Sequence, residues 1–286
     1  MLVKYLIDHY KVSISRACEV IGLTRSMWYY QNKKNDSEVI DKLTALSKAL
    51  PTRGFDEYYK RIRREGLKWN RKRVLRVYRD MKLKLRRKHK KRLCTRIKQP
   101  LEAPVDLNVC WSMDFMSDVL SDGRKLRVLN IIDDCNREAL AVEPALCFPA
   151  RALVEVLDRL KEEIGTPKYI RCDNGPEFLS KSLNNWCESN FIEIRYIQPG
   201  KPMQNGYIER FNRYYREDIL DAYYFEDIYQ LKKLSDQWKY DYNYNHPHKS
   251  LVNKSPVEFM PRFEDQINLI SKSELENKFL SNLEVS

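Results

Sequence analysis

The sequence predicts an α/β fold, in which a five-stranded mixed sheet with flanking helices follows a helical N-terminal region. Over the first 81 residues, apolar side chains recur at the spacing of amphipathic helices. Beyond residue 104, short apolar runs bounded by turn residues alternate with helical stripes. The resulting order of strand, hairpin, strand, strand, helix, strand, helix, strand, helix excludes an all-helical protein.

The N-terminal region begins with a predicted amphipathic helix, because apolar residues fall at i, i+3, i+4 and i+7 from Val3. The segment SISRACEVIGLTRSMWYY follows, with Gly22 at a turn and Thr24 as an N-cap. It suits a helix-turn-helix and an ordinary helical hairpin equally well. Further helices are expected at residues 39–50, 55–64 and 70–81.

Charge is distributed unevenly along the 286 residues. Residues 1–104 hold 29 Lys and Arg against 10 Asp and Glu, whereas the remainder holds 23 against 30. Between Arg53 and Lys98 there are 21 basic and 4 acidic residues, interleaved with aromatic side chains. Such a run binds phosphates without sequence specificity, so the N-terminal part is predicted to contact nucleic acid. Solvated basic helices are the less favoured alternative.

The α/β part is expected to begin after the hinge bracketed by Pro100 and Pro104. SDGR at 121–124 predicts a hairpin turn. Strands are expected at residues 109–116, 126–132, 138–142, 169–172 and 192–197, and helices at 150–164, 180–190, 207–219 and 230–242.

Three carboxylates in this part are predicted to converge. Asp114 lies within the first strand, and Asp173 follows the fourth strand at an Asn-Gly turn. Glu209 lies in the first turns of a helix, 209 − 173 − 1 = 35 residues beyond Asp173. Two acids on strands and one on a helix are able to reach one point. A neighbouring pair, Asp133 and Asp134, is more simply explained as a turn with a structural Asp-Arg pair than as a metal site.

The segments around these acids resemble a known family. The similarity is carried by WSMDFM, DGRK, NIIDDCNREAL, YIRCDNGPEF, IQPGKPMQNGYIERFN and SPVEF, and it covers nearly the whole chain. Together they resemble the OrfB transposase of the bacterial insertion sequence 3 family. The resemblance implies a ribonuclease H-like core of the DDE transposase and retroviral-type integrase class, with Asp114, Asp173 and Glu209 as catalytic and metal-binding residues. It departs at His246, where the family usually has arginine.

The implied reaction breaks and rejoins phosphodiesters in DNA. It requires an activated oxygen nucleophile, stabilisation of transition-state charge and help for the leaving oxygen, which two divalent ions about 3.5–4 Å apart supply together. Ligands that are all oxygen favour Mg²⁺, with Mn²⁺ as a substitute. Asp114 is expected to bridge both ions, with Asp173 on one ion and Glu209 on the other.

Residues around the triad have expected supporting roles. Asn174 and Gly175 are predicted to shape the turn that presents Asp173, and Glu177 is predicted to support it from behind. The predicted DNA contacts are basic or amide side chains in the basic region, in the loop before Glu209 and beyond Glu209: Arg71, Lys72, Arg73, Arg86, Arg87, Lys88, Lys90, Lys91, Arg92, Lys201, Asn205, Arg213 and Arg216.

The resemblance also implies domains and partners. The expected domains are a helix-turn-helix-like segment at 1–33, a basic helical DNA-binding region and linker at 36–99, a catalytic domain at 105–265 and a tail at 266–286. The expected partners are double-stranded DNA, as terminal inverted repeats and as target, the OrfA protein or the OrfAB frameshift product, and further copies of this chain on DNA.

Seven unpaired cysteines without a C-x-x-C pair favour a reducing bacterial cytosol, with the protein at the nucleoid, over a disulfide framework or a zinc site. No apolar run reaches the length of a membrane span. Two other functions stay open: a non-catalytic DNA-binding regulator derived from a transposase, and a ribonuclease H-like nuclease that only hydrolyses.

Overall fold

The computed structural model describes residues 2–29, 35–85, 103–198, 202–264 and 266. The chain divides into two compact units, residues 1–42 and 43–286. Within the described residues, no helix combines the length and the apolar character that crossing a bilayer requires.

The first unit contains three short helices, α1 (Leu2–Tyr10), α2 (Ile14–Ile21) and α3 (Arg25–Trp28). Gly22 ends α2 with a φ of 70°, which fits its predicted place at the turn. The hydroxyl of Thr24 makes no capping hydrogen bond, and α3 is a single turn. A helix of one turn offers little surface to a DNA groove, so the geometry of this unit does not decide between a helix-turn-helix and a hairpin.

The basic region forms the three predicted helices, α4 (Ser37–Ala49), α5 (Phe55–Arg64) and α6 (Arg71–Asp80). Asn70 caps α6 as expected, because its side chain accepts a hydrogen bond of 2.8 Å from the backbone N–H of Lys72. Val74 and Val77 face inward and are buried, as the apolar stripe predicts.

The second unit is built on a five-stranded sheet in the order β3-β2-β1-β4-β5. The strands are β1 (Cys110–Val119), β2 (Lys125–Asp133), β3 (Ala139–Ala145), β4 (Tyr169–Cys172) and β5 (Glu193–Tyr196). β1 pairs with β2 and β2 with β3 in antiparallel fashion, whereas β4 is parallel to β1 and to β5. This mixed sheet confirms the predicted ribonuclease H-like fold.

Helices cover both faces of the sheet. The remaining helices are α7 (Ala150–Ile164), α8 (Lys181–Ser189), α9 (Gly206–Tyr215), α10 (Ile228–Tyr244) and α11 (Pro256–Phe259). One core includes Trp111 and Met113 of β1 and lies under α7 and α8. The other includes Met116 and lies under α9 and α10. Alternate residues of β1 therefore face opposite helical layers, which places Asp114 on the side of α9.

Ion pairs fasten α5 and the segment before it to the C-terminal helices of the second unit. The guanidinium of Arg61 donates hydrogen bonds of 3.0 and 2.8 Å to the two carboxylate oxygens of Asp241 on α10. Arg53 pairs with Asp218, and the side chains of both are 8% exposed. Arg64 lies 2.6 Å from a carboxylate oxygen of Glu258. These three arginines of the basic region are therefore engaged within the protein.

His246 belongs to the same contact. Its Nδ1 lies 3.2 Å from a carboxylate oxygen of Glu57, and its ring stacks on Tyr242 with the ring centroids 5.5 Å apart. Burial lowers the pKa of His246, an effect that the hydrogen bond from its ring N–H to Glu57 partly offsets. Where the family usually has arginine, this histidine packs between α5 and α10.

The paired acids at the end of β2 are structural, but their arginine partners come from outside the turn that was predicted to supply one. Asp133 accepts a hydrogen bond of 2.9 Å from Arg262, whose Nε also donates to Glu138 at 3.0 Å. Asp134 accepts hydrogen bonds of 2.7 Å from Arg171 and 2.6 Å from Ser112. Burial raises the pKa of Asp134 in spite of these donors. Each acid therefore has its own arginine.

We predict that Arg262→Gln destabilises the protein strongly. The side chains of Arg262, Asp133 and Glu138 are no more than 9% exposed, so the substitution leaves buried carboxylates without a cation. The expected loss is about 3–5 kcal/mol of unfolding free energy, or roughly 10 °C in melting temperature.

Differential scanning fluorimetry would measure the shift, with Arg124→Gln as the matched control. Arg124 pairs with Asp122 in the exposed β1–β2 turn, so its loss leaves the melting temperature unchanged. Equal shifts for the two variants would contradict the assignment of Arg262 as a buried clamp.

Candidate active site

The pairing of β1 with β4 brings the first two carboxylates together. Cys110 lies beside Tyr169 and Ser112 beside Arg171, a constant offset of 169 − 110 = 59 residues. The same offset places Asp173, the residue directly after β4, beside Asp114. Neighbouring residues of parallel strands point to the same face of a sheet, so both carboxylates lie on the side of α9.

The turn after β4 holds the carboxylate of Asp173. Its Oδ1 accepts a hydrogen bond of 3.0 Å from the backbone N–H of Gly175. A Cβ atom at position 175 would lie 3.0 Å from that same oxygen, closer than ordinary van der Waals contact. Asn174 anchors the turn to the end of β5 through a hydrogen bond of 3.0 Å to the carbonyl oxygen of Ile197. A side chain at position 175 would therefore crowd the carboxylate of Asp173.

Helix α9 carries the third carboxylate. Ile208, Phe211 and Tyr215 pack into the core beneath the helix and fix its rotation on the sheet. Glu209 consequently lies exposed in the first turn. Its negative charge is close enough to Asp114 to raise the pKa of that residue.

The electrostatics of Asp114 are those of a carboxylate in a negative environment. Its pKa is raised to about 6, mainly by burial and further by repulsion from Asp173 and Glu209. A hydrogen bond from the N–H of Phe115 opposes this rise. A cation placed among the three groups would relieve this repulsion.

The three residues fit a hard divalent cation because they offer carboxylate oxygens alone. In the part of the chain that the structure describes, no three His, Cys, Asp or Glu side chains are spaced to hold one ion together. The expected arrangement does not require such a cluster, since a bridging Asp114 gives each of two ions only two protein carboxylates.

Sequence reasoning missed two asparagines at this site. Asn212 on α9 donates a hydrogen bond of 2.7 Å from Nδ2 to the Oδ2 of Asp114. Asn130 on β2, the cross-strand neighbour of Asp114, donates one of 2.7 Å to the Oδ1 of Asn212. Asn212 lies three residues after Glu209, so both are on one face of the helix. This spacing is the feature of the sequence that could have indicated Asn212 as part of the site.

The residues around Glu209 occupy three different environments. Arg213 is exposed on α9, as predicted. Arg216 lies beyond the end of α9, in a π-helical turn, and donates 3.1 Å to the carbonyl oxygen of Ser117. Asn205 was expected at the DNA end but is 3% exposed, and its amide lies 3.5 Å from the carbonyl oxygen of Met113. Its side chain therefore faces β1.

Glu177 forms an ion pair with Arg127 of β2, which lowers the pKa of the glutamate. The guanidinium of Arg127 also lies 4.2 Å from the ring centroid of Phe115. The pair ties the loop after Asp173 to the neighbouring antiparallel strands. This geometry supports the turn rather than adding a fourth carboxylate to the triad.

The predicted DNA contacts of the basic region differ in how exposed and how free to bind a phosphate their side chains are. Lys72 is exposed, Arg73 is half-buried, and Arg71 pairs with Asp56 at 2.7 Å. The remaining predicted contacts lie outside the described residues: Arg86, Arg87, Lys88, Lys90, Lys91, Arg92 and Lys201.

Two family profiles match the sequence, each described as an integrase core domain, over residues 106–202 and 190–256. A 31.7 kDa protein of insertion element IS407 from Burkholderia multivorans is 35% identical over 253 residues, which cover 87% of this chain and 91% of that protein. Transposase InsD of insertion element IS2 from Escherichia coli is 26% identical over 240 residues, which cover 79% of each chain.

Among solved structures, the catalytic core domain of HTLV-2 integrase in complex with magnesium is 18% identical to this chain. The TM-score is 0.41, and the similarity covers 53% of this chain and 95% of that domain.

We predict that Asp114→Asn stabilises the protein above neutral pH when divalent cations are absent. The folded-state pKa of about 6 exceeds the ordinary value of about 3.9, so the folded protein binds more protons than the unfolded chain between these values. Stability is therefore lost as pH rises through this window. Removing the charge should restore roughly 1–3 kcal/mol at pH 8 and much less at pH 4.

Thermal melts of both proteins at the two pH values in EDTA would measure this difference. Asp236→Asn, at an exposed position of α10, is the matched control and should not alter stability. A stabilisation that is equal at both pH values would contradict the raised pKa of Asp114.

Proposed function

Because this chain belongs to the integrase core domain family of insertion-element transposases, we propose that Asp114, Asp173 and Glu209 catalyse cleavage and joining of DNA at the ends of such an element. The function is that of a DDE transposase. The observation that carries the site assignment is the β1–β4 register, which sets Asp114 beside Asp173 under the helix that bears Glu209.

The proposed reaction has two steps on phosphorus. Water attacks a phosphodiester at the element end, and the 3′ oxygen leaves as a free 3′-OH. That hydroxyl then attacks a phosphodiester of a second DNA segment, so one bond forms as another breaks and no energy source is consumed. Neither step needs a protein nucleophile, which agrees with a site made of carboxylates.

The carboxylates would hold two Mg²⁺ ions, with Mn²⁺ as a substitute. Bound there, the ions would activate the attacking oxygen and stabilise the leaving oxygen. The chain's own groups keep the oxygens in place for this. Gly175 holds Asp173 through its N–H, and Asn212 holds Asp114. The Arg127–Glu177 pair supports the loop that follows Asp173.

The basic helices supply the proposed DNA contact, but only with part of their charge. Arg53, Arg61 and Arg64 are used in ion pairs within the protein. Exposed cations remain on α5, on α6 and in the segments that follow them: Arg63, Lys68, Lys72, Arg79, Lys82 and Lys84. These are the side chains that we assign to phosphates, together with Arg213 near the acids.

The remaining partners follow from the reaction. Joining two element ends to a target requires at least two active sites, so we propose that copies of this chain assemble on DNA. Sequence-specific recognition of the terminal repeats is assigned to OrfA or to the OrfAB fusion, because phosphate contacts alone carry no sequence information. A protein with this role works on bacterial DNA in the cytoplasm.

We predict that Asp114→Asn, Asp173→Asn and Glu209→Gln each abolish strand joining, by at least about 10³-fold, while DNA binding persists. Each change removes one negative ligand and keeps the shape of the side chain. A labelled repeat-end duplex with Mg²⁺ or Mn²⁺, with and without OrfA, would be the substrate. Glu226→Gln, at an exposed position before α10, is the matched control.

The outcomes separate the three functions. Joined products from the unaltered chain that disappear in the triad variants support the transposase. Cleavage without joining would favour a nuclease, and binding without either reaction, even with the partner present, would favour the regulator. Loss of binding and of folding in all three variants would overturn the site assignment.

We predict that Arg63→Gln, Lys72→Gln and Arg79→Gln together weaken duplex binding and flatten its salt dependence. The slope of log K against log salt should fall by about 0.9 for each phosphate contact that is lost. Fluorescence anisotropy over a range of NaCl concentrations would measure both quantities.

The control removes the same charge from α7 and α8, on the opposite face of the sheet, with Arg151→Gln, Lys161→Gln and Lys181→Gln. This variant should lose little affinity. Equal losses in both variants would show that net charge alone, and not the α5–α6 surface, determines binding.

A further inference from the structure

A chain of side-chain hydrogen bonds runs from the interior of the sheet to Asp114. Asn130 of β2 donates from Nδ2 to the Oδ1 of Asn212, and Asn212 donates from Nδ2 to the Oδ2 of Asp114, each over 2.7 Å. Asn130 and Asp114 are also direct cross-strand neighbours. The three side chains thus connect β1, β2 and α9 at one point.

The direction of this chain is set by Asp114. A carboxylate that binds a cation has only acceptor oxygens, so Asn212 must turn its NH₂ group toward it. The carbonyl oxygen of Asn212 then points toward β2, where it requires a donor. Asn130 provides that donor with its own NH₂ group. A leucine of the same shape at this position would supply none.

Asn130 makes this contact at a cost. The residue is completely buried, and its Oδ1 has no hydrogen-bond partner among the described residues. A buried acceptor without a partner destabilises the folded protein. An apolar residue would fit the surroundings, because Val128 and Ile132, which share this face of β2, are buried in the core under α9 and α10. Packing alone therefore does not explain an asparagine here.

We propose that Asn130 is a positioning residue for the reaction: it orients the amide of Asn212, which in turn holds the carboxylate of Asp114 in the rotamer that binds the metal. The inference rests on the proposed function of Asp114. Asn130 touches neither DNA nor metal and acts through Asn212 alone. Partners that orient the ligands of a metal site typically contribute 10- to 100-fold to affinity or activity.

The experiment compares Asn130→Leu with the unaltered chain in the strand-joining assay. We expect kcat to fall roughly 10- to 100-fold with little change in the KM for DNA, and the Mg²⁺ concentration for half-maximal rate to rise. The melting temperature should change little, because removal of the unpaired Oδ1 of Asn130 offsets the loss of its hydrogen bond to Asn212.

A double-mutant cycle tests the route through Asn212. Once Asn212→Ala has removed the amide, Asn130→Leu should have no further effect on kcat, so the two losses are not additive. Asn243→Leu is the matched control. Asn243 is a buried asparagine that exchanges hydrogen bonds with the backbone of Ala139, so its loss lowers stability and leaves kcat unchanged.

Two results would overturn the proposal: a kcat for Asn130→Leu within about twofold of the unaltered chain, or additive losses in the cycle. Additive losses would assign Asn130 a purely structural role. Failure of the proposed function looks different, because the unaltered chain would then produce no joined DNA at any Mg²⁺ concentration. The proposal therefore fails independently of the function on which it rests.

Discussion

The parallel pairing of β1 with β4 is the contact on which the rest of the site depends. A slip of one residue in this pairing would turn Asp173 toward the opposite face of the sheet from Asp114, because side chains alternate along a strand. The register is held by the two apolar layers on either side of the sheet. Core packing, not any attraction between the acids, therefore places two mutually repelling carboxylates side by side.

This arrangement has an electrostatic consequence for the whole second unit. Burial raises the pKa of Asp114, and repulsion from Asp173 and Glu209 adds to this cost, which a bound cation would offset. Asp133 and Asp134 are buried too, but each has an arginine beside it: Arg262 contacts Asp133, and Arg171 contacts Asp134. Asp133 and Asp134 therefore support the fold, whereas Asp114 belongs to the proposed site.

The same division applies to the basic region. Its arginines on the inner side of α5 fasten the helix to α10, while cations on the outer side remain exposed. An arginine that forms an ion pair with a carboxylate inside the protein is no longer available to bind a phosphate. The high net charge of this region therefore overstates the number of proposed DNA contacts, and the ion pairs fix the exposed cations relative to the proposed catalytic acids.

The sequence alone predicted most of the elements, because strand alternation, helix caps and the Asn-Gly turn act over a few residues, and its resemblance to a family predicted the triad. The helices at 55–64 and 150–164 were predicted with the bounds observed. Only the tertiary structure decided what contacts those elements make. Three features depend on such contacts: the burial of Asn205, the His246–Glu57 contact and the hydrogen bonds that Asn212 makes to Asn130 and Asp114. In each of them, contacting residues lie 80 or more positions apart in the sequence. No local pattern encodes such contacts, since they arise when α9 and α10 pack on the sheet.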